Sequence, residues 1–120
     1  MSTELPIAAS RVIQTPAGNA VGISHRWENG QYCALLTRKG LVGCGIYDLA
    51  CADEFRFAFA LAKGTPDRPL VEPEDLLSAR IVRVSHSARE MGIREGMTGE
   101  EALGLLLAAE REVASPAAVR

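Results

Sequence analysis

Three cysteines and two histidines are the side chains of this 120-residue chain best suited to chemistry. They are Cys33, Cys44, Cys51, His25 and His86. A cysteine becomes a nucleophile or a redox thiol when a neighbouring base, cation or helix N-terminus favours its thiolate. Histidine is the side chain that supplies a base near neutral pH. We therefore take Cys44 as the candidate nucleophile or redox thiol, with His25 or His86 as its base.

Cys44 is the most informative of these residues because two glycines, Gly43 and Gly45, flank it. Glycine weakens a strand and often marks a position where another group comes close to the backbone. That group is a packed helix, a partner chain or a ligand, and the last case makes Gly43 and Gly45 candidate ligand-binding residues. The alternative is that Cys44 is a small buried apolar residue, as free cysteines commonly are.

The cysteine spacing does not resemble a structural metal site. No two cysteines have only two residues between them, which is the spacing typical of zinc ligands, so the sequence predicts no metal. Cys51 lies in the first turn of a predicted helix, where the helix dipole favours a thiolate but Asp48, Asp53 and Glu54 oppose it. An odd number of cysteines fits a reducing compartment better than a disulfide framework.

Two predicted helix starts are further candidate ligand sites. Asp48 is placed to cap one helix, and Thr98 forms a capping box with Glu101 at the start of another. Backbone N–H groups at a helix start bind anions, so Asp48 and Thr98 would serve one ligand if the two starts converged on one pocket. The alternative is a purely structural role, because the capping box already uses those N–H groups and Glu100 adds a second negative charge.

The first half of the chain predicts strands. Apolar segments bounded by turn residues indicate strands over residues 11–15, 20–27, 32–38 and 41–47. A two-residue Lys39-Gly40 turn would pair Leu35 with Cys44 and Cys33 with Ile46. Alternation along the two strands then places one set of side chains on a common face, namely Cys33, Leu35, Thr37, Val42, Cys44 and Ile46.

A helix is predicted over residues 48–63, and its apolar surface indicates whether the chain associates with another subunit. Its apolar residues, which include Phe55, Phe57 and Phe59, reach nearly all round the helix, as in helices that are buried or shared with another subunit. Phe57 points away from the other two, and a 120-residue monomer has little core left to cover it. The sequence therefore predicts a homo-oligomer.

The second half of the chain predicts a proline-rich surface loop over residues 65–73, a helical turn over 74–79 and a strand over 80–85. A short helix ending at Met91 and a final helix beginning at Thr98 follow. Strands that precede most helices indicate an α+β domain. We expect a mainly antiparallel or mixed sheet of four to five strands, with two to three helices packed on it.

Length and charge narrow the function classes. The length suits one domain over residues 1–120, and we expect residues 1–9 and 114–120 to be flexible. The net charge of −2 leaves no electrostatic footprint for nucleic acid. No apolar run approaches the roughly 20 residues of a membrane helix, and the first nine residues do not resemble a secretory signal. We therefore expect a cytoplasmic protein with no membrane or nucleic-acid partner.

Several motifs together resemble one known family, the YunC-like family, domain of unknown function 1805. The resemblance covers residues 35–103. It rests on five elements in order: Cys44-Gly45, Asp75-Leu76-Leu77, Ala88, Gly92-Ile93, and the segment from Gly96 to Leu103 (GMTGEEAL). The chain departs from the family pattern in having Ile46-Tyr47 where an aromatic residue follows Cys-Gly directly, and in its longer 65–73 loop. The resemblance implies a small α/β unit and implies no activity or cofactor.

Two functional hypotheses follow. The first is a self-associating domain that binds a small ligand or a protein partner, since no catalytic constellation is visible in the sequence. The second is a small enzyme that uses Cys44 with His25 or His86 in a cleft beside the hairpin glycines.

Overall fold

One sheet runs through the fold. The computed structural model describes residues 5–113, and in this part of the chain six strands lie side by side in chain order. The strands are β1 (Ile7–Thr15), β2 (Gly18–Trp27), β3 (Gly30–Leu36), β4 (Leu41–Gly43), β5 (Phe59–Ala62) and β6 (Ile81–Val84). Neighbouring strands are antiparallel except β4 and β5, which are parallel. The helices are α1 (Leu49–Glu54), α2 (Asp75–Ser78), α3 (His86–Glu90) and α4 (Gly99–Val113).

The α+β class with a mixed sheet is confirmed, but the prediction of four to five strands is wrong, and four helices replace the two to three expected. The additional strand comes from the segment that is predicted as a helix over residues 48–63. Helix α1 ends at Glu54, and Arg56 adopts a left-handed backbone with φ of 62°, which a continuing helix does not allow. Residues 59–62 then form β5 between β4 and β6, because pairing with two strands outweighs local helix propensity.

The hairpin of β3 and β4 is closed by a four-residue loop, so the predicted two-residue turn is wrong. The Thr37 hydroxyl accepts hydrogen bonds from the backbone N–H groups of Lys39 and Gly40 at 3.2 and 3.1 Å, which stabilises the longer loop. Leu35 therefore opposes Val42, where Cys44 had been expected. The shift in register is two residues, so the predicted sharing of one face by Leu35, Val42 and Cys44 is unchanged.

The inner face of the sheet, defined by Ile13, Ala20, Leu35, Val42 and Ala60, carries the main core. These side chains are buried against the apolar sides of the helices and the turns between them, which contribute Leu76, Ala88, Ile93, Ala102, Leu103, Leu106 and Leu107. Helix α4 supplies four of these residues at helical spacing, as its sequence predicts. The inner face is therefore the hydrophobic core of the molecule.

The outer face of the sheet is defined by the side chains that alternate with the inner set, including Val12, Val21, Trp27, Tyr32 and Leu36. These residues are exposed or half-buried, with Val12 at 62% and Val21 at 42% exposure. Antiparallel sheets with one free face normally present polar side chains to water on that face. The outer face of this sheet is instead apolar and aromatic.

The proline-rich segment over residues 65–73 is a loop, as predicted, but only its first part is exposed. Its second part packs on the inner face, where Pro73 is fully buried and contacts the backbone at Gly22 so closely that a Cβ there would lie 2.7 Å from the proline ring. Gln31 Nε2 donates a hydrogen bond to the Leu70 carbonyl at 3.1 Å. The loop therefore covers the part of the inner face that the helices leave open.

The predictions for the two chain ends concern residues that lie partly outside the described range. Residues 1–4 and 114–120, expected to be flexible, lie outside that range. Residues 7–9, also expected to be flexible, form the start of β1 and pair with Ser24, His25 and Arg26. No helix among residues 5–113 is long and apolar enough to cross a membrane.

Candidate thiol site

Cys33 and Cys44 lie opposite each other on the inner face, at the end of the β3–β4 pairing. The backbone N–H of Cys44 donates to the Cys33 carbonyl at 3.2 Å, which continues the register set by Ala34 and Gly43. Cys33 is fully buried and Cys44 is 8% exposed. The sheet therefore holds two free thiols side by side, with only Cys44 open to solvent.

The two thiols are chemically unequal. A hydrogen bond from the Cys33 thiol is the largest influence on Cys44 and lowers its pKa, against burial, to about 6. Backbone groups of Cys33, Ile46 and Cys44 lower it further. The same hydrogen bond, followed by burial and the negative charge on Cys44, raises the pKa of Cys33. Cys44 is therefore the more acidic thiol of the pair, and Cys33 is the thiol that stabilises its ionised form.

The two glycines beside Cys44 have different surroundings. At Gly43 a Cβ would lie 2.7 Å from the ring of Tyr47, so the group that approaches this backbone closely is a side chain of the same chain. At Gly45, which is exposed, a Cβ would meet only the Ala62 carbonyl oxygen at 3.6 Å. Gly45 therefore leaves open space next to Cys44.

Tyr47 has an unusual hydroxyl group. Its oxygen is buried and has no hydrogen-bond partner among the described residues. Burial is the first cause that raises the pKa of Tyr47, and the charge of Cys44 is the second. The ring packs edge-on against Tyr32 and Phe59, with centroids 6.0 and 5.9 Å apart. Tyr47 is therefore a neutral phenol, buried between rings, with an unused hydrogen-bonding capacity.

The two histidines lie apart from the inner face at Cys44. His25 pairs with Tyr32 on the outer face, where its Nδ1 lies 2.7 Å from the tyrosine hydroxyl. The His86 side chain is 86% exposed at the start of α3, with Nε2 3.8 Å from Asp53 Oδ2. Neither histidine is among the groups that most strongly shift the pKa of Cys44. A role for His25 or His86 as the base of Cys44 remains a prediction.

Asp48 and Thr98 cap the starts of two helices. Asp48 Oδ1 accepts a hydrogen bond from the Ala50 N–H at 3.0 Å. Thr98 and Glu101 form the predicted capping box, with the Thr98 N–H donating to Glu101 at 2.9 Å and the Glu101 N–H donating to the Thr98 hydroxyl at 3.2 Å. The capping roles predicted for Asp48 and Thr98 are therefore confirmed. Ligand binding by Asp48 or Thr98 remains a prediction.

The third cysteine does not join the pair. Cys51 is exposed in α1, whereas Cys33 and Cys44 are buried. Among residues 5–113 no three His, Cys, Asp or Glu side chains are grouped so that they could hold a metal ion.

Sequence reasoning missed two features of the site. It did not identify Cys33 as the partner of Cys44, although a four-residue loop in the hairpin would have indicated it. It also missed that six aromatic residues form one continuous row, with neighbouring ring centroids 5.7 to 6.0 Å apart. The row runs through Trp27, Tyr32, Tyr47, Phe59, Phe57 and Phe55. The alternation of side chains along β2 and β3 places Trp27 and Tyr32 on the same face, and this pattern could have indicated the row.

Comparison with known proteins gives a family and a fold. A family model described as a domain of unknown function, DUF1805, matches residues 43–106, more than half of the chain. The fold is similar to the crystal structure of TA1206, a protein of unknown function from Thermoplasma acidophilum, with a TM-score of 0.74. That comparison covers 88% of this chain and 99% of the other at 18% identity. A comparison with curated proteins finds no match.

Proposed function

The chain belongs to the DUF1805 family, and we propose that it is a self-associating domain whose outer face binds a second copy of the same chain. The observation that carries the proposal is the apolar character of that face. Trp27 is 47% and Phe57 46% exposed, and Val12 and Val21, which pair across β1 and β2, are exposed as well. Exposed apolar surface of this kind marks an interaction site more often than a free surface.

The composition of the outer face suits a pair of identical chains. Val12, Val21, Trp27, Tyr32 and Leu36 are all uncharged. A second copy that presents the same apolar side chains is therefore favoured over a charged partner.

The hairpin of β1 and β2 gives independent support. Residues 7–12 of β1 are exposed on both sides of the strand. The chain has a radius of gyration of 14.8 Å and a longest extent of 56 Å, against a radius of about 13 Å for a compact domain of this size. A hairpin that projects from its core has little stability of its own in water. A second copy packed against its outer face would supply the missing contacts.

Sedimentation equilibrium of two variants with equal charge changes tests the proposal. Val21→Lys places a charge in the middle of the outer face, whereas Glu90→Gln makes the same change in net charge on the exposed side of α3. We expect a dimer of 12.8 kDa chains for the wild type and for Glu90→Gln, and a monomer for Val21→Lys. A wild type that is monomeric throughout the micromolar range, or a dimer that survives Val21→Lys, would contradict the proposal.

A second candidate function is favoured by the position of Cys44 directly opposite Cys33, whose thiol lowers the pKa of Cys44. A thiolate with an open side at Gly45 is suited to bind or attack a small electrophile. This is the enzyme hypothesis with a changed activating group, because the Cys33 thiol and backbone N–H groups take the place of the histidine.

Alkylation of the native protein tests this second function. In a Cys51→Ser background, iodoacetamide should modify Cys44 and leave the fully buried Cys33 unmodified. Peptide mapping identifies the modified residue. Modification of neither thiol before unfolding would show that Cys44 is only a packed residue.

A further inference from the structure

The juxtaposition of Cys33 and Cys44 goes beyond the reactivity of either thiol alone. We propose that the two residues form a reversible intramolecular disulfide, in which Cys44 reacts first with a hydroperoxide and Cys33 resolves the product. The inference rests on the second candidate function, because Cys44 must be an accessible thiolate. It does not depend on self-association.

The sheet sets the separation that a disulfide needs. Cys33 and Cys44 are opposite residues joined by a backbone hydrogen bond of 3.2 Å, and the Cα atoms of such a pair lie about 5.5 Å apart. Disulfides form across Cα separations of roughly 4.4 to 6.8 Å. Both side chains point to the inner face, so the bond requires rotation of side chains and no change of strand register.

Access to the pair favours a small oxidant. Cys33 is fully buried, whereas Cys44 is 8% exposed and is followed by Gly45, where a Cβ would have no neighbour closer than 3.6 Å. A hydroperoxide needs only to place one oxygen against the sulfur of Cys44. A bulky disulfide reagent would have to fit three sulfur atoms in line at a site that is 8% exposed.

The chemistry balances in two steps. The Cys44 thiolate attacks the outer oxygen of the hydroperoxide, an S–O bond forms, and the O–O bond breaks. The sulfur loses two electrons to the peroxide, whose other oxygen leaves as an alkoxide and takes a proton from water. The Cys33 sulfur then attacks the Cys44 sulfenic acid, the S–S bond forms, and the hydroxide leaves as water with the Cys33 proton.

The order of these steps follows from the charges. The hydrogen bond with Cys44 is the largest cause that raises the pKa of Cys33, and burial and the negative charge of Cys44 raise it further. Once Cys44 becomes a neutral sulfenic acid, the contribution of that charge disappears and Cys33 loses its proton more readily. The partner that stabilises the first nucleophile therefore becomes the second.

Hydrogen peroxide treatment of the reduced protein tests the inference, again in the Cys51→Ser background. We expect the intact mass to fall by two hydrogens and non-reducing peptide mapping to find one linked peptide that contains Cys33 and Cys44. Dithiothreitol should reverse the change. In Cys33→Ala, Cys44 should instead gain one oxygen that dimedone traps. In Gly45→Val, oxidation should slow several-fold because the added side chain covers the approach to Cys44.

Three results would overturn the inference. They are an unchanged mass after peroxide treatment, oxygen addition to Cys44 while Cys33 stays free, and a disulfide between two chains. Peptide mapping of the Cys51→Ser protein, which retains Cys33, tests the inference even if Cys33→Ala does not fold. If iodoacetamide modifies Cys44 but peroxide gives no disulfide, only this inference fails. If neither reagent reaches Cys44, the second candidate function fails with it.

Discussion

The two faces of the sheet differ in the size and exposure of their side chains, although they are built from alternating residues of the same strands. The inner face carries small and aliphatic residues, including the two thiols, and is buried beneath the helices and the 65–73 loop. The outer face of β1, β2 and β3 carries larger side chains, including Trp27 and Tyr32, that are exposed or half-buried. The comparison indicates that the inner face stabilises the fold of one chain, whereas the outer face contributes most in an assembly.

Adjacent residues of β3 give the largest expected contrast between the faces. Leu35 is fully buried on the inner face, and Leu36 is half-buried on the outer face. Leu35→Ala should lower the free energy of unfolding by about 2–5 kcal/mol, since it leaves a cavity in the core. Leu36→Ala should have a much smaller effect at high dilution, where chains are separate. Urea denaturation at two protein concentrations measures both, and equal effects of the two changes at high dilution would remove the distinction.

A buried hydroxyl on the inner side gives the next largest effect. Ser85 Oγ donates to the Phe57 carbonyl at 2.7 Å and accepts from the Phe59 N–H at 2.9 Å, which joins β6 to the start of β5. Ser85→Ala should cost about 1–3 kcal/mol of unfolding free energy, because the part-buried Phe57 carbonyl and Phe59 N–H lose their partner. Ser87→Ala, two residues along the same helix, is the matched control in thermal denaturation. A loss as large in Ser87→Ala would assign the effect to helix α3 as a whole.

The thiol pair predicts a pH dependence on the inner face. The pKa of Cys44 is lowered to about 6, so its thiolate should persist well below the pKa of roughly 8.5 of an ordinary cysteine. The rate of Cys44 alkylation, measured from pH 5 to 9 in the Cys51→Ser background, should therefore reach half its maximum near pH 6. In Cys33→Ala the midpoint should rise, because the hydrogen bond that stabilises the thiolate is gone. A wild-type midpoint near pH 8.5 would contradict this.

The smallest effect is expected at the base of the β1–β2 hairpin. Arg11 pairs with Glu72 and Glu74, and the hydrogen bond from Arg11 lowers the pKa of Glu74. The stabilisation by this pair is present above the unfolded pKa of Glu74 and is lost as the pH falls through its lower folded value. Arg11→Ala should therefore cause a slight loss of thermal stability at pH 7 that becomes smaller as the pH falls towards 3 and in high salt. An equal loss at pH 3 would indicate packing by the Arg11 side chain.

Much of the fold was predictable where the pattern was local. Strand alternation, the Asp48 cap and the Thr98–Glu101 capping box were all identified from residue types. The strand over residues 59–62 was missed because Phe55, Phe57 and Phe59 suit both a helix and a strand, and only the pairing with β4 and β6 decides between them. The local sequence does not indicate that pairing, because it depends on residues that are distant in the chain.

The candidate site shows the same division. Cys44 and its flanking glycines stood out from composition alone, but the neighbour of Cys44 depended on the exact length of the hairpin loop. A shift of two residues replaced Leu35 with Cys33 opposite Cys44. The sequence predicts an oligomer because Phe57 has no cover on a helix over residues 48–63. Helix α1 ends at Glu54, before Phe57, yet Phe57 is 46% exposed, so the reason for proposing self-association is unchanged.

The single tryptophan provides the most direct test of the difference between the faces. Trp27 lies on the outer face and is 47% exposed in one chain. Acrylamide quenching of its fluorescence, measured from nanomolar to high micromolar protein, should fall as the concentration rises, because a second copy covers the ring. Val21→Lys should keep the quenching high at every concentration. Quenching that is strong and independent of concentration in the wild type would contradict the account.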